Sequence, residues 1–169
     1  MRHQESIRAI MLRELRTLQR ELEAYQNEEA IWTLAPGIAN STGTLVLHLA
    51  GNLQSFVGAI LGNSGYVRDR RAEFERRDVS KTELLAELER TIEAVDATLT
   101  TLSDESMTQS FPHTLGELQI RTDDFLNHLT THLAFHVGQI DYHRRLVTGD
   151  PTSIGPVAIP ELASALHPQ

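Results

Sequence analysis

The chain has 169 residues, the length of a single domain, because a chain this short does not easily form two separate hydrophobic cores. It contains no cysteine, which excludes disulfides, a thiolate nucleophile and sulfur ligands for a metal. Its 23 acidic residues outnumber its 15 lysines and arginines, and the net charge of −8 opposes binding to nucleic acid.

Apolar residues at helical spacing predict a first helix over residues 5–28. Charges interrupt its apolar positions and the other apolar runs of the chain are short, so we expect a cytoplasmic protein with no membrane span. A second helix follows a cap at Asn40 or Ser41 and ends at the "GNSG" of residues 62–65. Its apolar positions are Leu45, Leu49, Phe56 and Ile60.

The third predicted helix has the best marked start in the chain, since Ser80 and Glu83 have the spacing of a capping box. Apolar residues at helical spacing continue it to Leu102. Residues 110–122 contain proline and glycine between short alternating runs, which favours a loop or small hairpin. A fourth and longest helix is predicted over 122–147, with Gly149 and Pro151 ending it.

Four amphipathic segments of similar length predict an all-α protein, and the economical arrangement is a four-helix bundle. The connections are longer than the tight turns of a simple bundle, so one or two are expected to cross over. We assign residues 1–150 to this single domain. Residues 151–169 are rich in proline and are predicted to form an extended C-terminal tail that lies on the body or on a partner subunit.

The fourth helix carries a column of four histidines on the face that its apolar residues bracket: His128, His132, His136 and His143. We therefore expect these imidazoles to point inward. Buried imidazoles need hydrogen bonds or metal bonds, and rings four residues apart can share one ion. Spacing alone leaves open whether His128 with His132, or His132 with His136, is the metal-binding pair.

A third imidazole comes from the second helix, where His48 lies on the apolar face. Bundle packing could bring His48 to the fourth helix. Two amides share these faces, Asn52 one turn after His48 and Gln139 in the histidine column, and are placed to orient a ligand or a bound water. No carboxylate shares the histidine face as an obvious general base, because Asp141 points away from it.

The ordered combination of three motifs is far more specific than HxxxH by itself. "LVLHLAGNLQSF" (45–56), "RDRRAEF" (68–74) and "THLAFHVGQIDYH" (131–143) together resemble the DinB/YfiT-like superfamily of metalloproteins, especially its branch with an HxxxHVGQI signature. The resemblance implies a DinB-like bundle with up-down-down-up connectivity, commonly a homodimer. It also implies a divalent metal, zinc or nickel, and the ligand set His48, His132 and His136.

Three histidines leave an open position on a divalent ion, as in reactive metal sites. The leading hypothesis, which follows the active members of the family, is a metal-dependent transferase that activates a low-molecular-weight thiol cosubstrate towards a small-molecule substrate. The alternatives are a metal-dependent hydrolase that uses a metal-bound water, and a metal-binding bundle without catalysis.

Three other features are expected to lie outside the metal site. His128 and His143 are interpreted as polar groups near the bundle ends, or at most as contacts behind the ligands. The arginine-rich segment 68–78 alternates arginines with acidic residues, which favours a solvated surface that pairs its own charges.

Overall fold

The structure, a computed structural model, describes residues 2–77, 79–155 and 158–166. The predicted all-α class is confirmed, since the described residues contain helices and no strand. Asp78 of the arginine-rich segment and residues 156–157 and 167–169 of the tail lie outside the described part. The α-helices are α1 (His3–Glu23), α2 (Glu28–Trp32), α3 (Thr42–Leu53), α4 (Arg70–Glu75), α5 (Lys81–Thr101), α6 (Asp104–Thr108) and α7 (Thr122–Thr148).

Side-chain caps determine where the long helices begin. The Ser41 hydroxyl accepts a hydrogen bond from the Thr44 amide, so Ser41 and not Asn40 is the cap of α3. Ser80 and Glu83 form the predicted reciprocal capping box at the start of α5. Gly149 ends α7 in the left-handed region at φ 72°, a conformation that glycine adopts without strain.

The predicted extent of the first helix was wrong. α1 ends at Glu23, and the short helix α2 follows instead of a continuous helix to residue 28. The Asn27 side chain explains the new start, because its oxygen accepts a hydrogen bond from the Glu29 amide at 2.9 Å and caps α2.

The second predicted segment is a helix of two kinds. α3 passes without a break into a π-helical segment, Gln54–Leu61, whose wider turns are found frequently at functional sites. The segment ends before Asn63, which has a positive φ of 52°, as the glycine-containing sequence predicted. The 20 residues Thr42–Leu61 are apolar enough to span a membrane, but 72% of their most apolar window is buried inside the protein, as in a core helix.

The long helices pack in pairs around one hydrophobic core. α1 packs against α5 and α7, and α3 packs against the same two helices. Residues 110–121 form a hairpin-like loop with an antiparallel bridge between Ser110 and Arg121. The described part of the tail leaves α7 beside Arg144, and its short turn Ile159–Glu161 contacts α1.

Candidate metal centre

α3 and α7 run antiparallel, which aligns their functional side chains. The Thr42 hydroxyl at the start of α3 meets the His143 ring near the end of α7. At the other end of the pair, the ring of Phe56 packs edge-on against that of Phe125, with centroids 5.1 Å apart. The middle of α3 therefore faces the middle of α7, where His48 meets the HxxxH pair.

Three imidazole nitrogens converge between these helices. Nε2 of His132 lies 3.3 Å from Nε2 of His48 and 3.2 Å from Nε2 of His136. All three possible ligand atoms lie within 4.8 Å of one another, and the group could hold a metal ion. His48 is buried, and the other two rings are half-buried. The structure thus brings together the three histidines that the resemblance indicated.

Hydrogen bonds at Nδ1, the ring nitrogen that is turned away from the cluster, orient two of these rings. Nδ1–H of His48 donates to Oε2 of Glu73 at 3.0 Å, and Nδ1–H of His136 donates to Oε1 of Gln139 at 2.6 Å. A carboxylate and an amide oxygen can only accept, so the ring protons lie on Nδ1 and the Nε2 lone pairs are free. This is the tautomer in which a histidine binds a metal through Nε2.

Burial and neighbouring imidazoles favour the neutral form of His132 and His136. Burial, together with the neighbouring His136 and His48, lowers the pKa of His132 to about 4. Burial also lowers the pKa of His136, an effect that its hydrogen bond to Gln139 opposes. Neutral imidazoles are the form that binds metal, and three nitrogen donors with an open side suit a divalent ion. The donor set therefore fits a divalent metal, although it does not distinguish zinc from nickel.

Glu73 is the functional residue that sequence reasoning missed. The prediction that 68–78 is a solvated surface was wrong for its centre, because Glu73 is only 5% exposed and contacts His48. Arg68 donates to both Glu73 oxygens, at 2.6 Å and 2.9 Å, so the segment does pair its own charges. Burial raises the pKa of Glu73, but the hydrogen bonds from His48 and Arg68 outweigh it and hold that pKa below its usual value.

A glycine makes room for this carboxylate. A Cβ atom added at Gly51 would lie 2.2 Å from Oε1 of Glu73, far inside van der Waals contact. Gly51 is one turn after His48 on α3, so the carboxylate crosses the helix surface where only a hydrogen stands. The "HLAG" of α3 therefore supplies both the ring and the space for its hydrogen-bond acceptor.

The remaining predicted residues divide around the cluster. Gln139 accepts the hydrogen bond of the His136 ring, while its expected role of orienting a ligand or a bound water stays a prediction. Asn52 is buried, and its side-chain oxygen has no hydrogen-bond partner among the described residues. His128 does not join the cluster and was wrongly expected to point inward, because its ring is exposed at the rim, stacked 6.0 Å from the ring of Phe125.

His143 is buried but belongs to a separate network. Its Nε2–H donates to the Thr33 carbonyl at 2.8 Å, and its Nδ1 meets the hydroxyls of Tyr25 and Thr42, both at 2.9 Å. The ring thereby ties α7 to α3 and to the end of α2. Both ring nitrogens are occupied, which explains why this histidine is not part of the cluster.

The chain matches the model of a protein family over most of its length. The family described as "Protein of unknown function (DUF1572)" matches residues 3–160, which is most of the chain. Members of the DinB-like superfamily are found in this family, in agreement with the broad resemblance read from the sequence. A comparison with curated proteins gives no match.

Proposed function

This chain belongs to the DUF1572 family, and on that premise we propose that it is a DinB-like protein that binds a divalent metal through His48, His132 and His136. We propose zinc or nickel as the metal, and a four-helix bundle formed by α1, α3, α5 and α7 with up-down-down-up connectivity. The packing of α1 and α3 against the same two helices supports the bundle, and the antiparallel course of α3 and α7 agrees with this connectivity.

The observation that carries the proposal is the convergence of three Nε2 atoms, with two of the rings already oriented by hydrogen bonds at Nδ1. Without an ion, the Nε2 atoms of His48 and His136 both face Nε2 of His132, at 3.3 Å and 3.2 Å, and one proton on that atom can satisfy only one of them at a time. Glu73 and Gln139 accept hydrogen bonds from Nδ1–H of His48 and His136, so the single proton of each neutral ring is on Nδ1 and neither ring can donate from Nε2. A bound cation would satisfy all three atoms at once.

We propose that the reaction is the transfer of a low-molecular-weight thiol to a small-molecule substrate. A divalent ion held by three imidazoles supplies Lewis-acid activation of a thiol or a carbonyl group. The chain's own residues hold the rings, and we propose that Asn52, buried one turn after His48, is a polar group behind the site. The thiol must come from a cosubstrate, because the chain has no cysteine.

Hydrolysis is less well supported by the local chemistry. Glu73 is the carboxylate that contacts the cluster, and both of its oxygens accept hydrogen bonds from Arg68 and His48. A carboxylate held in this way is a poor general base, because its pKa is below the usual value and its lone pairs are engaged. Asp141 pairs with Arg145 on another face of α7.

The test begins with metal content. Protein purified without a His-tag or added metal is analysed by plasma mass spectrometry, and we expect about one divalent ion per chain. The His132→Ala variant should lose it, whereas His128→Ala should keep it. Loss of the metal in His128→Ala and its retention in His136→Ala would show that the site lies one turn earlier.

Activity is then screened with defined probes. Wild type and His132→Ala are incubated with 1-chloro-2,4-dinitrobenzene and cysteine, glutathione or coenzyme A, and thioether formation is followed by absorbance. Turnover with one thiol and its loss in His132→Ala support transfer. Metal-dependent release of nitrophenol from nitrophenyl acetate without any thiol would support hydrolysis, and metal without turnover in either assay would favour the non-catalytic bundle.

Location, oligomeric state, domain division and partners complete the proposal. We propose a cytoplasmic homodimer in which residues 1–150 form one domain and the tail 151–169 covers part of the body or of the partner. The acidic net charge supports small molecules rather than nucleic acid as partners. Light scattering at micromolar concentration tests the dimer, and a monomer mass would contradict it.

A further inference from the structure

A cavity of about 360 Å³ lies beside the histidine cluster. Its walls are the start of α3, the C-terminal half of α7 and the connection between α2 and α3. The side chains that define it are Ile38, Asn40, Leu45, Gln139, Tyr142 and Leu146. The outer three apolar side chains are exposed (Ile38 43%, Tyr142 75% and Leu146 63%), so the cavity opens to solvent on one side.

The cavity and the cluster share a residue. Gln139 lines the cavity and accepts the Nδ1 hydrogen bond of His136. Leu45, on the opposite wall, lies three residues before His48 on the same helix. Three residues of helix rise only about 4.5 Å, so a molecule in the cavity reaches the level of the histidines within one turn.

The lining selects against charge. Among the described residues, those that line the cavity include no aspartate, glutamate, lysine or arginine. His143 also lines it, but both ring nitrogens are occupied by Tyr25, Thr42 and Thr33. An ionised ligand would lose hydration without gaining a partner of opposite charge, which is costly in an apolar environment.

The volume indicates the size of the occupant. An apolar protein cavity of about 150 Å³ binds benzene, so a cavity of about 360 Å³ holds on the order of 10 to 14 non-hydrogen atoms. Cavities of roughly 300 to 1,000 Å³, lined by apolar groups with a few polar ones, are the usual form of small-molecule sites. Here the polar groups are the amides of Asn40 and Gln139 and the hydroxyl of Tyr142.

We propose that this cavity binds an uncharged, largely apolar small molecule whose polar end points towards Gln139 and the histidine cluster. A concave site between two helices and a loop favours a small molecule over the surface of a second copy. The identification of this molecule as the substrate rests on the proposed function. The binding of such a molecule in the cavity does not.

The probe for this proposal is 2-naphthol, an uncharged molecule with one hydroxyl and about eleven non-hydrogen atoms. We expect saturable changes in the amide NMR signals of Tyr142 and Leu146, and of Gly37 and Ala39, which also line the cavity, in the wild-type protein. Naphthalene-2-sulfonate has the same ring system with a negative charge, and we expect it to bind at least tenfold more weakly. Equal binding of both probes, or shifts elsewhere on the protein, would overturn the proposal.

Matched variants locate the binding. Leu146→Gln replaces an apolar side chain of the cavity wall and should weaken the binding of 2-naphthol about three- to tenfold. Leu118→Gln changes a leucine of similar exposure, 65% against 63%, outside the cavity lining and should leave binding unchanged. Ala39→Trp, which places a large ring on an exposed position of the lining, should block binding while far-ultraviolet circular dichroism stays that of the wild type.

The same titration separates this proposal from the metal site. Binding of 2-naphthol should persist in chelator-treated protein and in His132→Ala. If it persists while no metal is found, the cavity stands and the proposed function fails. If metal is bound and 2-naphthol is not, the cavity proposal fails alone. Pocket signals that shift with protein concentration and not with 2-naphthol would assign the cavity to a second copy and overturn the proposal.

Discussion

Replacing Gly51 with alanine should weaken metal binding without changing any ligand. The new Cβ would stand 2.2 Å from Oε1 and 2.8 Å from Cδ of Glu73, and the carboxylate must retreat by about 1.2 Å to reach ordinary contact at 3.4 Å. The hydrogen bonds from His48 at 3.0 Å and from Arg68 at 2.6 Å cannot both survive such a shift. His48 then loses the acceptor that orients its ring.

The expected magnitudes follow from those contacts. Loss of a hydrogen-bond partner behind a ligating histidine typically lowers metal affinity about 10- to 100-fold. Alanine in a helix interior stabilises by about 0.5–1 kcal/mol relative to glycine, while a lost hydrogen bond to a charged group costs about 1.5–3 kcal/mol. Gly51→Ala should therefore lower the free energy of unfolding of the metal-free protein by about 1–2 kcal/mol.

Gly138 provides the control, because it is also a helical glycine, two residues after His136. Outside its own helix backbone, a Cβ atom added there meets no atom of the described residues within 4 Å. Gly138→Ala should keep wild-type affinity and gain about 0.5–1 kcal/mol of stability. Zinc affinity is measured by competition with a chelator and stability by urea denaturation. Equal zinc affinities for the two variants would refute the role given to Glu73 in holding His48.

Three further predictions concern the buried charges and the histidines. Glu73→Gln should lower the zinc affinity, as Gly51→Ala does. An unchanged affinity in chelator competition would contradict the role of Glu73 in orienting His48. Arg144→Ala should lower the free energy of unfolding, measured by urea denaturation, by about 3–5 kcal/mol, because Arg144 and Glu21 are 1% and 0% exposed and form a 2.6 Å ion pair. Arg145→Ala, at a more exposed neighbouring residue, should lower it by less than about 1 kcal/mol. In metal-free protein the pKa of His132 is lowered from 6.5 to about 4, so between these pH values the unfolded chain binds more protons than the folded protein. The free energy of unfolding should therefore fall as the pH drops through this window. A free energy of unfolding that does not change with pH, or the same slope in His132→Ala, would show that the ring is not held neutral.

Local signals predicted the parts of the fold that local interactions determine. The capping box of Ser80 and Glu83 and the glycine stop at Gly149 lie where the sequence placed them, because each acts within one turn of helix. The π-helical continuation of α3 and the break before α2 were not predicted, since helical periodicity does not distinguish a wider turn from an α-turn.

The site was predictable where it depends on helix faces and not where it depends on a connecting segment. His132 and His136 share a face by spacing alone, and the choice of this pair over His128 came from the family resemblance. Glu73 lies among arginines in a segment whose alternating charges indicate a solvated surface, so its burial gave no signal in composition or periodicity. Its burial depends on contacts made in three dimensions with α3, where His48 lies 25 residues earlier in the sequence.

The same contacts hold α4 in its helical conformation and determine the geometry of the histidine cluster. A six-residue helix has too few internal hydrogen bonds to be stable alone, so tertiary contacts must hold it. Asp69 caps it through the Ala72 amide, while Glu73 and Phe74 reach His48, the latter with ring centroids 5.1 Å apart. A buried carboxylate requires compensation, which Arg68 and His48 provide together. The interactions that orient His48 towards the cluster are therefore the ones that hold this connecting segment on α3.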